Sequence, residues 1–82
     1  MNDVIYNRIK KCIDKVLEHE ISSIRGDMSL MDDLGMESLQ LVTLQVELED
    51  EFEIEFDPLE DDFYEIFQTV DTIYYTIERK LS

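Results

Sequence analysis

The sequence predicts an all-α fold: a four-helix bundle of three principal helices, with a short third helix ahead of the last. Three observations carry that expectation. Apolar residues recur at three- and four-residue steps in three separate segments, which is the mark of amphipathic helices. The two glycines, Gly26 and Gly35, fall between the first two of these segments, and the single proline, Pro58, falls between the second and the last. Leu, Ile, Val and Phe supply 27 of the 82 residues. That is enough apolar surface to build a core despite a formal net charge of −14, so disorder, which pairs high charge with low hydrophobicity, is set aside. With no repeat, no low-complexity tract and no boundary, residues 1–82 read as a single domain, near the lower size at which one core suffices.

In the first helix, Val4/Ile5, Ile9, Cys12/Ile13 and Val16/Leu17 make one apolar stripe, and Lys10, Lys11 and Lys15 lie on the other side. Asn2 or Asp3 can cap its start, and the pattern fades by His19 or Glu20. Periodicity is lost from Ile21 to Glu37, where Ser22, Ser23, Asp27 and Ser29 are turn formers. A loop of this length in a compact domain is often functional. Ile21, Ile24, Leu30, Met31 and Leu34 are expected to pin it across the core.

The second helix begins near Ser38, with Leu41, Leu44, Leu48 and Phe52 as its buried stripe. Val42 and Val46 are rotated from that stripe by roughly 100° at 3.6 residues per turn, and so are expected to be partly exposed. Glu53 to Pro58 leaves the helix, and Pro58 suits the first position of a new turn. Leu59, Phe63, Ile66 and Phe67 give the brief third helix an aromatic face. Thr69 caps the last helix, with Asp71 near its positive end and Arg79 and Lys80 near its negative end. Its stripe is Val70, Ile73, Ile77 and Leu81, flanked by Tyr74 and Tyr75.

Charge excludes several functions. Residues 1–25 carry a net +1 and residues 26–82 a net −15, and between Glu47 and Glu65 stand 11 acids and no base. Such a chain repels phosphate backbones and anionic membrane surfaces, so neither nucleic-acid binding nor membrane insertion is expected. An acidic surface confined to one side either keeps a protein soluble or steers basic partners to it. A lone cysteine, no apolar stretch long enough to span a bilayer, and a start unlike an export signal together suggest a cytoplasmic protein; the strong charge suggests a monomer.

Catalytic chemistry finds little footing. The Asp27–Asp33 run lacks the central Gly and the alternating oxygens of a calcium loop, and His19 has no partner at zinc-ligand spacing, so no metal is expected. Ser38 lacks the second Gly of a nucleophile elbow, and the chain is too short to wall a catalytic cleft. No enzyme is expected. Ser38 itself admits two readings. It caps the second helix, or its hydroxyl is a site of covalent modification, where an attached phosphodiester would gain from the positive helix end. A capping box starting at Ser38 would need Glu or Gln three residues on, and Leu41 stands there.

The run Asp32-Asp-Leu-Gly-Met-Glu-Ser-Leu39, followed by a helix ending Glu47-Leu-Glu-Asp-Glu-Phe-Glu-Ile54, resembles the acyl carrier proteins, whose motif is Asp-Leu-Gly-x-Asp-Ser-Leu. The match falls on Asp33, Leu34, Gly35, Ser38 and Leu39, and the helix pattern extends the likeness over essentially the whole chain. The resemblance implies a single carrier domain over residues 1–82. It also implies that Ser38 receives 4′-phosphopantetheine from coenzyme A through a phosphopantetheinyl transferase. The chain would then hold acyl groups as thioesters for acyl-loading, chain-elongating or acyl-transferring enzymes in fatty-acid, lipid or polyketide-type biosynthesis. Basic patches on those partners would meet Glu37, Glu47, Glu49, Asp50 and Glu51, with Leu39, Val42 and Val46 as the apolar part of the contact. Two departures stand out: Glu37 replaces the usual Asp and is a poorer cap, and Gln40 and Thr43 replace frequent acids, which suggests a dedicated partner set. The alternatives are an aminoacyl or peptidyl carrier of a non-ribosomal peptide or D-alanylation pathway, and a non-catalytic acidic interaction module.

Overall fold

The computed structural model describes residues 3–82 and is all-α: α1 Asp3–Leu17, α2 Ser38–Phe52, α3 Phe63–Ile66 and α4 Val70–Leu81. Asn2 lies outside the described residues, and Asp3 sits in the first turn of α1. That helix stops at Leu17, sooner than the sequence pattern suggested, because Glu18 turns into the left-handed region at φ 62°. Asp14 fastens the exit. Its carboxylate accepts from the Ile21 amide at 3.0 Å and pairs with Lys10 at 2.8 Å.

Ile5, Ile9, Cys12 and Ile13 of α1 meet Leu41, Leu44, Leu48 and Phe52 of α2, and Val70, Ile73, Tyr74 and Ile77 of α4 complete the core. Several residues fall elsewhere than their spacing implied. Val4 is exposed, and Val16 and Leu17 are only partly buried, so the α1 stripe is narrower than it reads. Met31 is exposed, because the turn in which Asp33 N–H donates to Ser29 O (2.9 Å) swings it outward. Leu59 is 94% exposed at the tip of a turn closed by Asp57 and Asp61, and Leu81, the last residue of α4, is exposed as well. Met36, Phe56, Tyr74 and Thr76 are buried. Tyr74 lies flat against Tyr6 with ring centroids 4.4 Å apart.

The long α1–α2 loop is stitched to the start of α4. Leu30 N–H donates to Gln68 O (3.1 Å), Val70 N–H donates to Met28 O (3.2 Å), and Ser29 and Thr69 form an antiparallel bridge. Asp71 N–H donates to Gly26 O at 2.9 Å. The approach is so close that a Cβ on Gly26 would lie 2.1 Å from the Asp71 carboxylate, which also accepts from the Tyr6 hydroxyl. Burial and that carboxylate together push the Tyr6 phenol well above its usual range. Thr69 caps α4 as expected, accepting from Thr72 N–H at 3.2 Å.

A second fastening joins the α2–α3 connection to the end of α4. Asp61 accepts from Lys80 Nζ at 2.8 Å and from Asp57 N–H at 2.7 Å, with Arg79 3.8 Å away, while the Lys80 ammonium lies 5.4 Å from the Phe56 ring centre. The Lys80 hydrogen bond holds the Asp61 carboxyl below its ordinary value. A depressed carboxylate contributes stability that is complete above the unfolded value near 4 and is lost as pH falls through the folded one. Asp61→Asn should therefore destabilise the fold at pH 7 by about 1–3 kcal/mol. Melting curves of the variant and the wild type should converge as pH falls well below the ordinary carboxylate range; curves that stay apart there would show that the charge is not what matters.

Candidate functional site

The site is built around Ser38. Gly35 takes φ 67°, a conformation that other residues adopt only under strain, and so turns the chain toward α2. On one side of that turn Leu30 is fully buried; on the other Met36 is 98% buried, with its N–H donating to Leu30 O at 3.0 Å. The loop is thereby pinned two residues before the serine. Glu37 follows in extended conformation (φ −90°, ψ 163°) as the N-cap, and Ser38 is the first residue inside the helix.

Ser38 thus does not cap α2, and the capping box has shifted one residue toward the N-terminus. Glu37 N–H donates to Gln40 Oε1 at 2.8 Å, and Leu41 N–H closes the first helical turn on Glu37 O at 3.0 Å. Gln40, at a position where the resemblance expects acid, supplies the neutral return arm of this box. Relieved of capping, Ser38 is exposed and its hydroxyl makes no hydrogen bond to another described residue. No acid occupies the first turn, so a phosphodiester on Ser38 Oγ would meet the positive helix end with no carboxylate inside that turn to oppose it. An accessible, unengaged hydroxyl on a rigid mount fits a covalent phosphopantetheine arm.

Along α2 the exposed apolar residues form one stripe: Leu39 (77% exposed), then Val42 and Val46 (50% each). The acids named beside them divide in two. Glu37 and Asp50 are exposed, and no hydrogen bond or ion pair holds their carboxylates to a base. Glu47, Glu49 and Glu51 are engaged within the protein. Glu47 pairs with Lys15 at 3.0 Å, Glu49 accepts from Phe56 N–H at 3.0 Å, and Glu51 takes Arg8 at 2.8 Å and Lys11 at 3.5 Å.

A cleft of about 460 Å³ opens between Gln45 of α2 and the aromatic side chains Phe56, Phe63 and Phe67, with Asp57, Asp61 and Asp62 at its edge. Phe63 stacks on Phe67 at 4.8 Å. The aromatic periodicity of residues 59–67 is the sequence signal for this wall, while Phe56 and Gln45 carried none. Cys12 is buried. Loss of hydration, then the nearby Glu51 and Glu47 carboxylates, push its thiol up to about 11. It is therefore a core residue with an inert thiol. His19 is exposed, and no group of three or more His, Cys, Asp or Glu side chains is arranged to hold a metal ion among the described residues.

The chain is similar to known proteins over most of its length. The phosphopantetheine attachment site family matches residues 7–74. An acyl carrier protein of Thermotoga maritima is 36% identical over 77 residues, covering 94% of this chain and 91% of that protein. One from Buchnera aphidicola of Acyrthosiphon pisum is 40% identical over 76 residues, covering 93% and 91%. A solved structure from Mycobacterium tuberculosis, assigned to the same carriers, superposes with a TM-score of 0.79 at 33% identity, covering 92% of this chain and 96% of that one.

Proposed function

The chain belongs to the acyl carrier protein family, non-catalytic proteins that hold acyl groups through phosphopantetheine, and from that membership we propose that Ser38 is its attachment residue. The observation that carries this is the Ser38 hydroxyl itself: exposed, free of hydrogen bonds to described residues, and the first residue of α2. The thiol of the attached arm holds the acyl group as a thioester. The chain's own residues do the mounting. Leu30 and Met36 fix the loop, Gly35 turns it, and the Glu37–Gln40 pairing frees the serine while setting the helix start. The charge gives the family's transferase and acyl-processing enzymes a long-range field to follow.

We read the cargo as acyl, on its way through fatty-acid, lipid or polyketide-type biosynthesis in the cytoplasm. Partners would dock on the Leu39, Val42 and Val46 stripe, with Asp50 as a freely available charge and Glu37 as an exposed one that also caps the helix. The single carrier domain spans residues 1–82.

The test is intact-mass measurement after incubation with coenzyme A and a broad-specificity phosphopantetheinyl transferase. One pantetheinyl addition is expected, accompanied by one thiol that reacts rapidly with maleimide. Cys12 stays slow in the folded state, because it is buried and its thiolate is disfavoured. A chain that gains no mass would instead be an interaction module.

A further inference from the structure

We propose that Lys11 and Lys15 of α1 restrict which partners the carrier accepts, by occupying Glu51 and Glu47 of α2 so that a partner's basic patch cannot use them. This rests on the reading above, in which partners dock on α2. The geometry is direct. Lys15 Nζ lies 3.0 Å from the Glu47 carboxylate and Lys11 Nζ lies 3.5 Å from that of Glu51. Arg8 holds Glu51 more firmly: it bonds the carboxylate at 2.8 Å, donates to the Glu51 carbonyl at 2.5 Å and lies 4.3 Å over the Phe52 ring. The hydrogen bond to Glu47 raises the Lys15 ammonium above its ordinary value, and the one from Arg8 lowers the Glu51 carboxyl, as expected of engaged pairs.

Three cations therefore face two carboxylates along the α1–α2 seam. In a chain of net charge −14, three of the seven Lys and Arg residues gather at this seam, with Asp50 also near enough to act on Lys15. The two lysine side chains are 74% and 70% exposed, so a docking protein meets their charge as well as the acids they cover. A basic patch arriving over the seam meets like charge, which suppresses wrong partners. On the other side of α2, residues 53–65 hold seven acids, of which only Asp61 is paired with bases, Lys80 and Arg79. The field thus admits basic partners from the α3 side and turns them away from the α1 side. What remains central on α2 is the apolar Leu39, Val42 and Val46 stripe, which selects by fit. Exposed ion pairs contribute little to stability, so the lysines can be changed without losing the fold.

The test compares two variants that each lose one positive charge, Lys15→Gln, which frees Glu47, and Arg25→Gln, far from α2. The probe is a phosphopantetheinyl transferase with a basic docking face, with coenzyme A as donor, and kcat/KM for the carrier is followed against ionic strength. The lysine variant should gain about three- to tenfold at low salt, through KM rather than kcat, and should fall more steeply as salt rises. The arginine variant should stay close to wild type. Equal gains in both variants would mean that only overall charge matters and would overturn the proposal, as would no gain in either. A wild type that accepts no arm at all would remove the carrier reading itself, and this inference with it.

Discussion

Ser38→Ala is expected to abolish pantetheinylation completely while leaving the fold intact. The hydroxyl has no structural duty: it neither caps α2 nor bonds to another described residue, and the Glu37–Gln40 pairing that sets the helix start does not involve it. Alanine is a strong helix former, and substitution of an exposed residue of this kind usually changes stability by no more than about 0.5 kcal/mol. Intact mass should therefore show no addition under conditions that modify the wild type fully, while the melting temperatures agree. Modification that persists in the variant would place the arm on another residue. A large loss of stability would mean that the serine was part of the framework after all.

Leu44→Ala makes the opposite separation. Leu44 is fully buried in the middle of α2, within the core shared with α1 and α4. Truncating a buried leucine costs about 3–5 kcal/mol through lost transfer energy and the cavity left behind. A domain of this size has roughly 4–12 kcal/mol in total. Chemical denaturation should find the variant near or past the edge of folding at 25 °C, whereas Val46→Ala, at a half-exposed position one half-turn away, should cost below about 1 kcal/mol. Comparable losses at the two positions would show that α2 is not oriented as described.

The two variants also mark how much the sequence disclosed. The buried face of α2 was legible because Leu41, Leu44, Leu48 and Phe52 repeat at helical spacing, and spacing is all that a helix needs to declare a face. The same reasoning located Val42 and Val46 on the outside and the Thr69 cap at the start of α4. It failed where a residue's fate is decided by turns rather than by period. Met31 and Leu59 look like anchors in one dimension, but each sits in a turn that is closed by side-chain and backbone hydrogen bonds and points outward. Met36 and Phe56, outside any periodic segment, are drawn into the core.

The serine's position was plain from its motif, but its manner of exposure was not. That depends on Glu37 taking the cap and Gln40 answering it, a pairing that the search for a box beginning at Ser38 missed by one residue. Ion pairing was the least legible feature. Lys15 with Glu47 and Arg8 with Glu51 join residues more than thirty positions apart, and no local pattern announces which acids a distant helix will cover.

The seam between Ser29 and Thr69 also decides which parts of the chain the serine's mount depends on. Residues 26, 28 and 30, ahead of Ser38, bond through their backbones to residues 71, 70 and 68, so the mount is complete only when the distant start of α4 is in place. Damage confined to the opening turn of α4 would accordingly loosen the ground beneath Ser38 without touching it.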